Sequence, residues 1–315
     1  MMGSFGSVAA YAPDASVDAA LTTALDEMQR VDALMSHYKP DSEVSRVTGL
    51  AGVEALPVHA DTLHVIQTAQ DISRETGGAF DITVAPLVKL WGFFSHEARV
   101  PRDDEIVEAR AGVGYEGVRI DSDASTVMLE REGMDLDLGG IAKGHAVDLA
   151  ARSVRDAGVR SALVNLSNST FYAIGVPDGA EHWRIAVQHP RAPGDQLGLV
   201  LVSDAALATS ADTEQFFVRD GVRYGHILDP RTGYPVTNGV VSVTVVAPTG
   251  IEADALATAV FVLGADDGLA LIRQREGVSA LVVTEEVDGS LALHASPGME
   301  KLFRPAQVEE RPDRR

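Results

Sequence analysis

Asp254 and Thr258 lie four residues apart in "EADALATA", so a helix would present a carboxylate and a hydroxyl on one face, one turn apart. Both are hard oxygen donors of the kind Mg²⁺ takes, with backbone carbonyls or water completing an octahedron. A local reading also exists: an aspartate in a first helical turn complements the helix dipole, and the threonine packs. A second constellation is the loop "GHILDPRTGYPV", residues 225–236, stiffened by Pro230, Gly233 and Pro235 and carrying His226, Asp229 and Arg231. A histidine titrates near neutrality and can serve as acid or base. Equally, the segment reads as a structural turn in which Asp229 and Thr232 bond to nearby backbone.

Two further stretches add candidates. "LDLGGIAKGHAVD" sets Gly139, Gly140 and Lys143 at a helix start, where N–H groups can meet a phosphate. Its spacing is neither a P-loop nor a dinucleotide fingerprint, and a bulge with close strand–helix packing accounts for the glycines as well. "TGGAFDITVAPLVKLWGF" places Phe80 and Asp81 after a glycine pair, with Trp91 and Phe93 close behind. Those aromatics either line a flat apolar cleft or fill core.

The elements that must position these residues follow from periodicity. Helical spacing over 16–38 (Ala20, Ala24, Met28, Val31, Leu34) and over 60–76 (Leu63, Ile66, Ala69, Ile72) predicts two helices. From 117 onward the pattern turns to strands: "GVRIDSDASTVMLE" predicts a hairpin and "MDLDLGG" a strand end. Val147, Ala150, Ala151 and Val154 predict a helix ending at Gly158. "RSALVNLS", "TFYAIG", "WRIAVQHP", "LGLVLVSDAALATS", "YGHILD" and "VVSVTVVAP" read as strands. "EADALATAVFVLG" and "DDGLALIRQRE" read as helices, and "SALVVTEEVDGSLALHAS" as a hairpin turning at Asp288-Gly289. Helices first and then many strands with interspersed helices predict an α+β fold, its sheets mixed or antiparallel with packed helices. One domain over 1–305 is expected, with a polar, disordered tail over 306–315.

Composition narrows the function. With 45% apolar and 23% charged residues the chain is ordinary globular protein. A net charge of −20 argues against a nucleic-acid surface. An anionic ligand must therefore be met locally, by backbone N–H groups, a few basic residues or a metal. There is no cysteine, which excludes disulfides and a lipid-modified cysteine in this sequence. No apolar run approaches the ~18–20 residues of a membrane span, and the N-terminus lacks the basic and apolar regions of a signal peptide. The expected location is cytoplasmic or otherwise unanchored, although a removed leader would leave the same sequence.

Taken together and in order, these stretches resemble the FAD:protein FMN transferases, the ApbE-type flavin transferases. The resemblance is carried by "MGS" (2–4), "MSHYKPDSEVSRV" (35–47), "TGGAFDITVAPLVKLWGF" (76–93) and "DLGGIAKGHAVD" (137–148). It continues through "ATS" (208–210), "HILDPRTGYP" (226–235) and "ADALATAVFVLG" (253–264). It implies an enzyme that moves the FMN half of FAD onto a Ser or Thr hydroxyl of a target protein, as a phosphoester, with AMP leaving and Mg²⁺ required. Metal ligands are implied at Asp254, Thr258 and the Gly140 carbonyl. Flavin contacts are implied at Met2, Tyr38, Ala79, Phe80, Asp81, Asp137 and Lys143, with Ile227 or Leu228 contributing from the loop. His226 is the candidate base for the acceptor hydroxyl, and Asp229 and Arg231 shape its loop.

Two departures stand out. Ser167-Asn168-Ser169 occupies a turn where the family carries Gly-Gly-Asp or Gly-Gly-Asn, and Ala211 replaces the glycine of a "TSG". Glycines there would allow φ > 0 or close ligand approach, so a narrowed or reshaped pocket is expected. Two other functions use the same residues: an Mg²⁺-dependent FAD pyrophosphatase giving FMN and AMP, and a non-catalytic flavin-binding protein. Retention of Asp254, Thr258 and Asp137 argues against the second, since a carrier needs no such metal site.

Overall fold

A computed structural model describes residues 5–11, 16–95 and 97–306. Met2, the "MGS" motif and tail residues 307–315 lie outside the described residues. Along the chain run β1 (Gly6–Ala10), α1 (Ser16–Met35), α2 (Glu43–Gly49), β2 (Leu56–Pro57), α3 (Ala60–Glu75), α4 (Ala85–Trp91) and α5 (Asp103–Arg110). Then come β3 (Val118–Asp121), β4 (Thr126–Leu129), α6 (Ala142–Asp156), β5 (Ala162–Leu166), β6 (Thr170–Ile174), β7 (Trp183–Gln188), β8 (Gln196–Val202) and β9 (Ala205–Ala211). The chain continues with β10 (Phe216–Arg219), β11 (Val222–Gly225), β12 (Val240–Ala247), α7 (Gly250–Leu263) and α8 (Ala265–Arg273). It closes with β13 (Ser279–Glu285), β14 (Leu291–Ala295), α9 (Pro297–Leu302) and β15 (Phe303–Pro305).

The central sheet has the order β1-β5-β6-β9-β12-β13-β14, and every pairing in it is antiparallel. Alternate side chains along a strand face opposite ways, and the strands use both faces. Val164, Ala208, Val243, Val245 and Val282 belong to the large core shared with α1, α6 and α7. Leu207, Val246, Leu281 and Val283 point the other way, into a second core with Ile185 of β7, Val200 of β8 and Met299 of α9. The result is helices on one face of the sheet and the small sheet β15-β8-β7 on the other, an α+β layering. Helix α7 is mostly apolar and buried on nearly every side, as expected of a helix inside a core. No described helix is long and apolar enough to cross a membrane.

Several expectations shift in detail. "LGLVLVSDAALATS" is not one strand: the chain turns at Ser203-Asp204, where Asp204 has φ 48°, and its halves join different sheets. "MDLDLGG" is extended but enters no ladder, because the Leu136 N–H donates to Thr48 Oγ1 (3.2 Å) and the Asp137 N–H to the Ile82 carbonyl (2.7 Å). "YGHILD" leaves strand geometry at Gly225, and a single bridge between Leu228 and Pro235 follows.

Candidate active site

Helices α6 and α7 cross at two glycines, and this crossing builds the polar end of the site. A Cβ on Gly144 would fall 2.1 Å from the Gly250 carbonyl oxygen, and one on Gly250 2.4 Å from the Gly144 oxygen. Only hydrogen side chains permit that approach. Asp148 of α6 ties the pair by accepting from the Gly250 N–H (2.6 Å) and the Ile251 N–H (2.9 Å) at the start of α7. Asp254, one turn further along α7, then reaches back to α6 and accepts from the Gly144 N–H (2.9 Å). In an uninterrupted helix that N–H would bond the carbonyl four residues earlier, which is Gly140.

The Asp254 carboxylate is buried and incompletely compensated. Its Oδ1 receives only a long bond from Thr170 Oγ1 (3.4 Å) and stands 3.7 Å from Lys143 Nζ. Burial raises its proton affinity above the ordinary carboxylate, against the pull of Lys143. Burial works the other way on Lys143, but Asp254, Glu214 and Asp137 outweigh it and keep the ammonium protonated. Lys143 Nζ also donates to the Gly139 carbonyl (2.7 Å). Thr258 Oγ1 meets Ser210 Oγ at 3.0 Å, and a Cβ on Gly140 would lie 3.3 Å from that same threonine oxygen. The donor set suits Mg²⁺: a carboxylate in need of a cation, a hydroxyl, and a glycine turn pressed against that hydroxyl. No group of three or more metal-binding side chains occurs among the described residues. Mg²⁺ does not require one, since it commonly takes one or two carboxylates and fills its shell with water and substrate phosphate.

From this end a cleft of about 270 Å³ runs toward an aromatic wall. Tyr38, Ala79, Phe80, Asp81, Asp137, Gly140, Lys143, His226, Ile227, Leu228 and Thr258 all line it, while Asp254 sits behind them. Asp81 lines it as scaffold. Its Oδ1 accepts from the Thr83 N–H (2.8 Å) and hydroxyl (2.6 Å), and its Oδ2 from the Tyr115 N–H (2.8 Å). Burial nevertheless raises its proton affinity. Asp137 differs: burial would raise it, but His37, the Gly139 N–H and Lys143 hold it below the ordinary carboxylate range. Trp91 is core, fully buried, its Nε1–H donating to the Gly233 carbonyl (2.9 Å), whereas Phe93 faces the cleft.

His226 is held by an atom that sequence reading missed. Its Nδ1 lies 3.1 Å from the Gln215 carbonyl oxygen, which also accepts the His226 N–H (3.1 Å). A carbonyl only accepts, so Nδ1 carries the hydrogen and the neutral ring leaves Nε2 free as a base. Burial pushes His226 below its ordinary value, against Glu214 and the Gln215 carbonyl, so the ring is neutral at pH 7. Asp229 grips Arg231 through two bonds of 2.9 Å and accepts the Arg231 N–H as well. That pair shapes the loop, as expected. Besides Gln215, sequence reading passed over His37, Phe94, Ser210 and Glu214, all of which line the cleft. His37 and Ser210 stood inside quoted motifs, which was the available signal.

The two glycine replacements stand differently toward the cleft. Ser167 and Asn168 adopt the glycine-like conformation themselves, at φ 65° and 55°, and none of residues 167–169 lines the cleft. Asn165 braces the turn by accepting the Asn168 N–H (3.0 Å) and donating to its side chain (2.8 Å). Ala211, a strand residue in register with Ser242, does line the cleft.

Fold and cleft together define an α+β protein with a cleft between an aromatic wall and a polar corner built by Asp254, Thr258 and Gly140. The ApbE family matches residues 2–282. A protein from Treponema pallidum named FAD:protein FMN transferase is 35% identical over 285 residues, 86% of this chain and 78% of the relative. One of the same name from Vibrio cholerae is 36% identical over 274 residues, 85% of this chain and 80% of its own. The crystal structure of the ApbE protein from Thermotoga maritima superposes with a TM-score of 0.87 at 34% identity, covering 96% of this chain and 97% of that one. The chain belongs to the ApbE family.

Proposed function

We propose that this chain is an FAD:protein FMN transferase that uses Mg²⁺ and joins FMN to a Ser or Thr hydroxyl of an acceptor protein. The observation that carries the reading is His226, neutral and with its Nε2 free, opening on the same cleft as Lys143, Thr258 and Gly140. Asp254, Thr258 and the Gly140 carbonyl would hold Mg²⁺, which when bound offsets charge on the diphosphate. Breaking a pyrophosphate asks the protein for positioning and charge stabilisation more than for covalent chemistry. His226 Nε2 takes the proton of the acceptor hydroxyl as its oxygen bonds the FMN phosphorus. The phosphorus–oxygen bond to the AMP half breaks, and AMP departs. Lys143 stabilises the charge that gathers on the phosphates, and Phe80 and Tyr38 meet the ring system.

The test incubates the protein with FAD, Mg²⁺ and an acceptor carrying the Ser/Thr flavinylation motif, then reads the acceptor's intact mass and the AMP released. A mass gain of one FMN supports transfer. AMP without it means FAD hydrolysis, and neither product means a flavin-binding protein. His226→Ala should lower transfer by roughly 10²–10⁴-fold, the usual weight of a general base, while FAD still binds. A depressed His226 also keeps transfer going below pH 6.5, where an ordinary histidine is half protonated. An unchanged rate in His226→Ala rules out its role as base.

A further inference from the structure

Besides His226 Nε2, one buried nitrogen in the cleft wall meets no partner among the described residues. The His37 ring stacks on Phe94, centroids 3.9 Å apart and planes 28° from parallel, and Tyr38 flanks it at 3.8 Å and 44°. His37 Nδ1 stands 3.5 Å from Asp137 Oδ1. A carboxylate only accepts, so a hydrogen stays on Nδ1, and in that Nδ1–H tautomer Nε2 is an acceptor. That Nε2 is buried and meets no hydrogen-bond partner among the described residues. A buried acceptor left unmet costs more than a typical hydrogen bond gains. His37, Tyr38, Phe94 and Asp137 all line the cleft, so the natural partner is a ligand.

We propose that His37 is a specificity-determining residue, its Nε2 accepting a hydrogen bond from an N–H on the heterocycle of the bound dinucleotide. Phe94 and Tyr38 supply aromatic faces for that heterocycle to stack on. Asp137 fixes the imidazole tautomer and so decides that a donor edge is selected rather than an acceptor edge. The inference rests on the flavin transferase reading, since it takes FAD as the ligand. Both ends of FAD offer the chemistry: the imide N–H of the flavin ring and the exocyclic amine of adenine.

The experiment is equilibrium binding with Mg²⁺ present: FAD and FMN by flavin fluorescence, AMP by competition, for wild type, His37→Phe and His37→Gln. Phenylalanine keeps an aromatic ring in the stack and removes the acceptor, while glutamine returns an acceptor oxygen. His37→Phe should weaken FAD binding about tenfold, the weight of one hydrogen bond, and His37→Gln should recover most of it. A loss confined to FMN places the donor on the flavin, and one confined to AMP places it on adenine. If His37→Phe binds FAD as wild type does, or weakens all three ligands equally with a lower melting temperature, the side chain merely packs and the proposal falls. If wild type binds FAD but moves no FMN to an acceptor, the transferase reading falls while the binding comparison still decides the role of His37.

Discussion

Gly144→Ala sets two known effects against each other, and the structure says which prevails. Alanine is the better helix former by about 1 kcal/mol, and Gly144 lies inside α6, so on propensity alone the variant gains stability. The added methyl, however, would lie 2.1 Å from the Gly250 oxygen, 2.4 Å from its carbonyl carbon and 2.7 Å from the Ile251 Cα. All three are backbone atoms, so no side chain can rotate away. Restoring ordinary contact requires α6 and α7 to part by about 1 Å. Overpacking of this kind costs typically ~1–3 kcal/mol, and with all three clashes on backbone the upper part of that range applies, which after the helix gain of about 1 kcal/mol leaves a net loss of up to about 2 kcal/mol. The same movement separates the Gly144 N–H from Asp254, now bonded at 2.9 Å, and Gly140 from Thr258. Misplacement by about 1 Å can cost on the order of 10²-fold in rate. Denaturant unfolding should therefore show a lower midpoint, and the transfer assay a loss far beyond what unfolding explains at the assay temperature. Gly49→Ala is the control, because Gly49 ends α2 and a methyl added there would have nothing within 4 Å; it should be neutral or mildly stabilising. If Gly144→Ala matches that control in stability and retains full transfer, the glycine crossing does not set the site.

Two further outcomes concern stability. Ser167 holds φ 65° without the freedom of glycine, and a left-handed residue costs an L side chain about 1–2 kcal/mol. Ser167→Gly should raise unfolding free energy by up to about 1 kcal/mol after glycine's unfolded-state entropy is subtracted, leaving FAD affinity unchanged; calorimetry and a flavin titration check both. Asp148 is pushed from 3.8 up to about 6, first by burial, with the Gly250 and Ile251 N–H groups pulling the other way. A raised folded value means the native state holds this proton more tightly than the unfolded chain. Its contribution is therefore full below pH 4 and lost as pH rises through 6, by about 3 kcal/mol at most. Unfolding curves between pH 4 and 7 should show a shallower pH dependence in Asp148→Asn than in wild type; equal slopes would refute the assignment.

What sequence could reveal here depended on whether a residue acts through its type or its surroundings. Asp254 and Thr258 were legible because their chemistry and helical spacing are both written in the chain. His226 was legible as a candidate base, but its tautomer depends on the backbone carbonyl of Gln215, and any residue type supplies a carbonyl. Asp81 was legible as a cleft residue, yet only the fold reveals that Thr83 and Tyr115 consume its carboxylate. His37 stood inside a quoted motif, but it meets Phe94 and Asp137 across long separations in sequence, so its contacts are not written locally. The break between β8 and β9 was hidden because Asp204 takes a left-handed conformation that aspartate adopts only occasionally.

The charge of the cleft explains the form of the site. Asp137, Glu214 and Asp254 surround its polar end, against Lys143 as the sole lysine or arginine lining it among the described residues. A pocket with that balance repels a diphosphate unless a cation comes with it. Clustered arginines would bind the anion in any conformation and hold the leaving AMP as firmly as FAD. On the proposed reading, a carboxylate buried at the crossing of two helices would instead make charge neutralisation depend on one fixed geometry, set by the crossing that holds Asp254 and by the contact of Gly140 with Thr258. The same crossing supplies the N–H groups that keep Asp254 and Asp148 in place. Stability and chemistry therefore share one contact in this chain, and the absence of two side chains, at Gly144 and Gly250, is what makes that contact close enough to serve both.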